Sequence, residues 1–456
     1  MHTGSKSLSG AFWHCRAMPP RMRSVTLASG VGSFAVKGFA TAFPYRMPSS
    51  QTPRDLQKNW ALRVPLSGVA MSMEALTGYP RENGRKGIRN LVAVLAAADN
   101  VNPLARHLAA RNPGTVCLPA SYGRGQMGRD FAISLRAMAG LAAHPNVASC
   151  LIVSFEPESS ERVAKLARNS GRQVTSMSFL ETGGLQECLD RGSKILRGMQ
   201  KAASLLQRVP LAVSELTIGL ECGGSDTTSG LFGNPALGAF TDWIVDHGGT
   251  AIFSEPVECL GGEELLRRRA VSAQAAERLV STVRAYDELA REQGIDLAGT
   301  NPTPDNMAGG LTSIEEKSLG ALAKTGSRPI MGVIGYAEAA PGPGVWMMDA
   351  PAAAVENVTA LAAGGAQCVC FVTGSGNPTG HPVSPTIKIS ANPRTVERMS
   401  AHLDVDLSDM LRGHMNVLQG AEAIGAAIAK VIGGEPSAAE RLDYLETNIS
   451  RIGPSV

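Results

Sequence analysis

Residues 219–226, which read Gly-Leu-Glu-Cys-Gly-Gly-Ser-Asp, place two carboxylates, a thiol and a glycine pair directly after an apolar run. That run, residues 216–220, predicts a buried strand. A glycine pair lets backbone N–H groups approach a ligand closely, because no Cβ stands in the way. Ser225 and Asp226 could cap the turn that follows. The stretch is typical of a ligand site and equally of a tight turn that holds a small core cysteine.

A second acidic cluster follows another predicted strand. The strand is predicted at residues 250–254, and residues 254–258 read Ser-Glu-Pro-Val-Glu, so Glu255 and Glu258 lie three positions apart. Carboxylates at a strand end can bind a divalent cation. One of them could also serve as a general base if burial raises its pKa. The alternative is a pair of solvated loop acids.

Two lysines and an asparagine complete the candidate polar groups. Residues 301–312 form a loop rich in Asn, Thr and Gly that contains Asn306 and precedes a helix predicted at residues 314–324. Backbone N–H groups at a helix start suit an anionic substrate. Lys317, one turn into that helix, could reach a carboxylate or act as a base, and Lys388 is a second candidate for carboxylate binding. A lone lysine is more often solvated.

A glycine-rich loop at residues 373–380 superficially resembles a nucleotide loop. A dinucleotide fingerprint requires a helix after the loop, whereas the segment that follows contains two prolines and is predicted to be extended. The sequence also lacks the Gly-x-x-x-x-Gly-Lys-Ser/Thr motif of nucleoside triphosphatases. A dinucleotide or NTP site is therefore rejected.

These clusters require strands and helices that alternate along the chain. Strands are predicted at residues 91–98, 115–118, 150–155, 173–179, 216–220, 250–254, 329–336 and 367–373, with helical spacing between most of them. Helical sequence rich in Arg and Glu, most simply a solvated face, is predicted at 262–293. Such alternation favours parallel sheets covered by helices. The predicted fold class is α/β, with two α/β domains of mostly parallel sheets at residues 73–209 and 210–456.

Charge and composition are uneven along the chain. Residues 1–72 contain nine Lys/Arg and one acid, giving +8, so the net charge of +3 leaves about −5 for the rest. This first segment is predicted to be a disordered extension or a mis-annotated start, with a transit peptide as a further reading. The eight cysteines show no paired spacing, which favours reduced thiols in a cytoplasmic setting. The sequence of residues 73–456 indicates neither nucleic-acid binding nor a membrane-spanning helix.

The ordered set of motifs resembles the altronate/galactarate dehydratase family. The resemblance covers about residues 77–456. It rests on residues 78–90, 144–147, 219–226, 234–235, 254–258, 309–320, 385–388 and 449–455.

The resemblance implies a hydro-lyase that acts on a sugar acid such as altronate or galactarate and forms a 2-keto-3-deoxy acid. In that reading a divalent metal, Fe²⁺ or Mn²⁺, holds the substrate, a base removes the proton α to the carboxylate, and water leaves from the β-carbon. Family members often carry a small N-terminal domain, which residues 1–72 do not resemble. A separate small partner subunit is therefore implied, with a homo-oligomer also open.

Family position and strand-end placement together assign roles to eight residues. Cys222 and Glu255 are the metal candidates. Lys317 and Glu258 are the catalytic candidates. The substrate contacts are predicted to be Arg89, Asn306, Lys388 and Asp226.

Departures from the family pattern fall on expected ligands. Where the family tends to have a His-x-x-Gly-Cys segment, this chain has Ala120 and Arg124 in place of the imidazole and the thiol, and Pro157 stands where a further cysteine is usual. None of these three side chains can bind a metal as His or Cys does. A non-catalytic sugar-acid-binding homologue stays open for this reason. The large subunit of a sulfolactate sulfo-lyase, which the same family includes, is the other alternative.

Overall fold

A computed structural model describes residues 73, 75–453 and 455 of the chain. The strands, numbered β1 to β14 in chain order, are Thr77–Pro80, Lys86–Gly87, Leu91–Ala96, Thr115–Leu118, Val147–Ser154, Val174–Ser178, Val209–Pro210, Thr217–Cys222, Thr250–Phe253, Ile330–Ile334, Gly344–Met348, Cys368–Val372, Thr386–Ser390 and Val405–Asp406. The prediction for residues 1–72 lies outside the described residues.

Most of these strands form two parallel sheets. The four-stranded sheet has the order β4-β3-β5-β6, and the seven-stranded sheet has the order β10-β11-β9-β8-β12-β13-β14. Every pairing within both sheets is parallel. A small antiparallel sheet, β2-β1-β7, accompanies them. The predicted α/β class with mostly parallel sheets is confirmed, whereas the boundary at residue 210 stays a prediction.

Helices account for most of the remaining ordered segments. The α-helices are Asn102–Arg111, Gly128–Ala142, Pro157–Asn169, Phe179–Thr182, Leu185–Ser204, Asn234–Asp246, Glu263–Arg269, Ala273–Glu292, Leu297–Thr300, Pro304–Ala308, Ile314–Leu322, Ala354–Ala363, Pro393–Met399, Ser408–Leu411, Val417–Gly433 and Ala438–Arg441. Single turns of 3-10 helix include Pro256–Cys259 and Ala323–Thr325, and a π-helical turn spans Ser229–Gly233. None of the described helices is both long and apolar enough to cross a bilayer.

The strand sequences explain why both sheets are parallel and internal. Strands β3, β5 and β12 are runs of Val, Leu, Ile, Ala, Cys and Phe, with two Ser in β5, rather than alternating polar and apolar residues. Such runs are expected when both faces of a strand are covered. All five residues of β12, Cys368–Val372, are buried. The central strands therefore place whatever polar groups they carry in a dry environment.

The helical sequence predicted at 262–293 is divided into two helices, because the chain leaves the helical conformation between Arg269 and Ala273. Val271 donates its N–H to the Ile330 carbonyl at the start of β10, and Ser272 caps the second helix through its hydroxyl. A sheet-edge contact thus outweighs helical propensity here.

Candidate active site

The centre of the candidate site is a row of three side chains across the seven-stranded sheet. Glu221 near the end of β8 pairs in register with Phe371 of β12, which pairs with Lys388 of β13. Neighbours in register point to the same face of a sheet, so the three side chains lie side by side. The Lys388 Nζ lies 3.3 Å from the centroid of the Phe371 ring. Because β8 is the middle strand, this row occupies the interior of the sheet.

Glu221 and Lys388 are both buried without hydrogen-bond partners. Glu221 is 0% exposed and Lys388 is 1% exposed. Neither carboxylate oxygen of Glu221 nor the Lys388 Nζ has a partner among the described residues. Burying an unpaired charge is costly, and the usual response is a shift of pKa toward the neutral form. These two groups are thus candidates for a neutral acid and a neutral amine.

The pKa shifts run in opposite directions for that reason. Burial, followed by the charge of Glu255, raises the pKa of Glu221 well above its usual range. Burial lowers the pKa of Lys388 well below its usual range, although Glu221 opposes the shift. The Phe371 ring face favours an ammonium by about 2 kcal/mol when the pair is desolvated. Desolvation costs several kcal/mol per ion, so the lowered pKa prevails.

A buried ion pair joins the end of β9 to the helical segment near residue 324. The Lys324 Nζ lies 2.7 Å from Glu255 Oε2, and the two side chains are 2% and 1% exposed. Burial raises the pKa of Glu255 to about 7, an effect that Lys324 limits and Glu258 increases. Burial alone would lower the pKa of Lys324, but the Glu255 carboxylate outweighs it and the pKa is raised. Lys324 therefore stays an ammonium at neutral pH.

A second acid–lysine pair joins Lys317 to Glu258, which lies three residues after Glu255. The Lys317 Nζ lies 2.9 Å from Glu258 Oε1, and it donates a 2.8 Å hydrogen bond to Asn301 Oδ1. Asn301 also lines a pocket of about 190 Å³, together with Thr312, Ser313, Ile314 and neighbouring residues. Lys317 and Glu258 are thus connected to a pocket through one amide.

Three predicted site residues meet in the turn after β8. The Cys222 Sγ lies 3.3 Å from the Ser225 Oγ and accepts a hydrogen bond from the Asn234 amide at the same distance. Burial raises the pKa of Cys222. Asn306 donates to the Ser225 carbonyl at 3.0 Å.

Asp226, the third of these residues, is fully engaged within the protein. Its Oδ1 accepts from the Ser229 N–H and the Thr228 hydroxyl, and its Oδ2 accepts from Asn392 at 2.7 Å. In this structure Asp226 thus stabilises the turn, and its role in substrate binding stays a prediction. Beside the turn, Gly224 lines a cleft of about 750 Å³ with residues 375–380 and 443–446.

The structure does not bring Arg89 to these groups. Its guanidinium donates to both carboxylate oxygens of Glu440 and to the carbonyls of Val431 and Glu435. These partners belong to the helix Val417–Gly433 and the segment after it. Arg89 thus holds the C-terminal part of the chain, and its predicted contact with substrate stays untested.

The described residues do not fit a metal at the predicted position. Across residues 75–453, no three His, Cys, Asp or Glu side chains are grouped as ligands. The Lys324 ammonium contacts the Glu255 carboxylate, and the Cys222 thiol accepts from an amide donor. A divalent ion at Glu255 would lie against a buried positive charge. Cys222 and Glu255 are therefore a poor donor set, and metal dependence stays a prediction.

Arg124, one of the departures from the family pattern, contacts the residue that precedes another, Pro157. Arg124 lies 3.4 Å from the carboxylate of Glu156, the residue before Pro157. Arg124 is largely exposed, with 61% of its side chain accessible, whereas Glu156 retains 18%. Here too a cationic side chain faces a carboxylate.

Sequence reasoning missed two members of the cluster, Glu221 and Lys324. Glu221 was visible in the stretch 219–226, but no periodicity indicates which way a strand residue points when both faces are buried. Lys324 follows Lys317 by seven residues, which is two helical turns. That spacing predicts that both lysines lie on one face of the helical segment. It is the sequence pattern from which Lys324 could have been identified as a candidate.

A parallel α/β sheet with a buried carboxyl on β8, a buried lysine on β13 and a buried acid–lysine pair after β9 defines an enzyme-like acid–base arrangement. Two family models match the chain. The C-terminal model of D-galactarate/altronate dehydratase matches residues 213–455, and the second-domain model of D-galactarate dehydratase/altronate hydrolase matches residues 78–204. The chain therefore belongs to the galactarate/altronate dehydratase family, as its motifs predicted.

Individual relatives agree with the family models. The (2R)-sulfolactate sulfo-lyase subunit beta of Chromohalobacter salexigens is 39% identical over 377 residues, which cover 82% of this chain and 97% of that protein. The altronate dehydratase of Escherichia coli is 30% identical, over 82% of this chain and 77% of the relative. That of Bacillus subtilis is 31% identical, over 72% and 67%. The predicted enzyme class, a lyase of the altronate/galactarate dehydratase type, is confirmed.

Proposed function

We propose that this chain catalyses a β-elimination on a small hydroxylated carboxylic acid, with dehydration of a sugar acid such as altronate or galactarate as the first candidate. The product would be a 2-keto-3-deoxy acid. Family membership supports the reaction class. The observation that carries the mechanism is the row in which Glu221 and Lys388, both buried and unpartnered, flank Phe371.

Elimination needs a base, an acid and a means of stabilising negative charge. The base takes the proton from the carbon α to the carboxylate, and the electrons of that C–H bond form the C=C bond. The bond from the β-carbon to the leaving group breaks, and its electrons depart with that group. The acid protonates the leaving hydroxyl, and the resulting enol rearranges to the 2-keto acid. Groups whose pKa values are shifted toward neutrality suit both proton transfers.

Lys388 and Glu221 are the residues that we assign to these transfers. A lysine held as a neutral amine can accept a proton, and a carboxyl held protonated can donate one. Lys317, the base predicted from the sequence, is engaged with Glu258 at 2.9 Å and with Asn301 at 2.8 Å, so its role as a base stays a prediction. Lys324 would stabilise the enediolate that develops beside the substrate carboxylate. No step in this scheme passes through a metal.

A second leaving group is favoured by a specific comparison. The relative that this chain covers to 97% of its length is named a (2R)-sulfolactate sulfo-lyase subunit beta, and it is 39% identical. The same scheme would then expel sulfite, which leaves without protonation, and form pyruvate. The word subunit also supports the predicted separate small partner. Under this alternative Glu221 would matter less than Lys388, because sulfite is a better leaving group than hydroxide.

The experiment is a substrate panel with variants. The protein is purified alone and after co-expression with a candidate small subunit, and altronate, galactarate and (2R)-sulfolactate are tested for 2-keto acid formation and sulfite release. Lys388→Met should lower kcat by about 10²- to 10⁴-fold on the active substrate, the usual range for one acid–base group. Glu221→Gln should do the same for a dehydration only.

Exposed positions provide matched controls. Lys430→Met makes the same chemical change on an exposed lysine and should leave kcat unaltered. Full turnover by the Lys388→Met protein would refute the assignment of the base. Binding of a sugar acid in calorimetry without turnover, in iron- or manganese-supplemented anaerobic buffer, would instead support the non-catalytic homologue.

A further inference from the structure

We propose that Lys324 is the resident cation of this site and that its ammonium excludes a divalent metal from Glu255. The inference concerns cation binding and rests on the proposed function only for its catalytic consequence. The Lys324 Nζ lies 2.7 Å from Glu255 Oε2, which is within hydrogen-bond distance of the oxygen that a metal at this carboxylate would need.

Backbone contacts fix the position of Lys324. Its carbonyl accepts a 2.9 Å hydrogen bond from the Thr241 hydroxyl, and the next residue, Thr325, receives hydrogen bonds from Arg269. Helix Asn234–Asp246 packs directly on this turn at Gly238, where an added Cβ would lie 2.1 Å from the Ala323 carbonyl oxygen. The Lys324 ammonium is therefore carried by a closely packed backbone segment rather than by a mobile segment at the surface.

The backbone of Glu255 is held just as closely. Glu255 has φ 66° and ψ 59°, a left-handed conformation that is rare for residues other than glycine. Its N–H donates to the Ala350 carbonyl at 3.2 Å, and its carbonyl accepts from the Glu258 N–H at 2.8 Å. Strained backbone of this kind persists where the surroundings over-determine it, often at functional sites. Both partners of the ion pair are thus preset.

The same combination recurs at Glu258, where Lys317 lies 2.9 Å from the carboxylate. The two carboxylates are three residues apart on a 3-10 turn, and the two lysines are seven residues apart on one helical segment. Two ammonium groups therefore match two carboxylates across the interface of these elements. With the acids already neutralised, a bound divalent ion would add excess positive charge to a dry cluster.

Metal binding can be measured without turnover. The wild-type protein, expressed with added iron and manganese and purified anaerobically, should contain no stoichiometric metal by elemental analysis. Titration with Mn²⁺ in a calorimeter should show at least about tenfold tighter binding to Lys324→Met than to wild type, because an opposing charge near the carboxylate has been removed. Lys324→Arg, which keeps the charge, should exclude Mn²⁺ as wild type does, and Lys430→Met serves as the control.

Two results would overturn the inference. One is a wild-type protein that holds one metal per chain and loses it in the Glu255→Gln variant. The other is a folded Lys324→Met protein with no gain in Mn²⁺ affinity. If Lys324→Met does not fold, the Lys324→Arg variant and the metal content of wild type still decide the question. A failure of the substrate panel would leave these binding results unaffected, so the two proposals are separable.

Discussion

Removal of the Lys324 ammonium provides the sharpest test of how the buried cluster is held together. At 2.7 Å and an effective dielectric constant of about 20, the attraction between Lys324 and Glu255 amounts to about 6 kcal/mol. The desolvation of each ion costs several kcal/mol, so the intact pair is close to neutral in net stability. Breaking it leaves the Glu255 carboxyl, which is 1% exposed, without a partner and removes the charge that limits the rise of its pKa. Lys324→Met should therefore lower the free energy of unfolding by about 3–5 kcal/mol at alkaline pH, where Glu255 is ionised, and by less at neutral pH, where the carboxyl takes up a proton.

Glu255→Gln combined with Lys324→Met separates this charge effect from lost packing. The double variant should recover much of the loss, because neither ion is then left alone. Urea denaturation of wild type, both single variants and the double variant gives the coupling energy. The exposed pair Arg268–Glu264 offers a control, and Arg268→Met should change stability by about 0.5 kcal/mol or less. If the single variants and the double variant are equally stable, the ion pair is not what holds these groups.

Three further predictions concern stability at the same cluster. Folded Glu255 keeps its proton to a pKa of about 7, against 4.5 in the unfolded chain, so the folded state binds more protons between these pH values and its stability falls as pH rises through them. Glu255→Gln should flatten that part of a plot of urea midpoint against pH. An unchanged plot would contradict the assigned pKa. Asp226→Ala should destabilise the protein by about 1–3 kcal/mol in urea, because three hydrogen bonds are lost, whereas a purely substrate-binding role would leave stability intact. Gly238→Ala should lower the thermal unfolding midpoint, because the new Cβ would lie 2.1 Å from the Ala323 carbonyl oxygen. Gly433→Ala is the control, because no atom lies within 4 Å of its added Cβ. Equal midpoints for the two variants would argue against close packing at Gly238.

The fold was largely accessible from the sequence because its strands are chemically uniform. Runs such as Leu91–Ala96 and Cys368–Val372 are too short for buried helices and too apolar for edge strands. The prediction failed where tertiary contacts decide. β11, Gly344–Met348, follows a Pro- and Gly-rich loop, and its strand character depends on pairing with β9 and β10.

The site was accessible only in part, for a geometric reason. Glu255, Glu258, Lys317 and Lys388 were found because polar residues stand out beside predicted strands and at a helix start. Which acid pairs with which lysine depends on how a 3-10 turn meets a helical segment some 60 residues later along the chain. No local pattern encodes that meeting. The unpartnered state of Glu221 likewise follows from its neighbours on other strands.

The difference between Lys324 and Lys388 shows how one buried cluster can hold the same side chain in two chemical states. Lys324 has a carboxylate at 2.7 Å, and its pKa is raised although it is buried. Lys388 is equally buried but faces an aromatic ring, and its pKa is lowered. Because desolvation acts on both, the contacting group decides the sign. An elimination requires a fixed cation and a neutral base at once, and these two positions would supply one each.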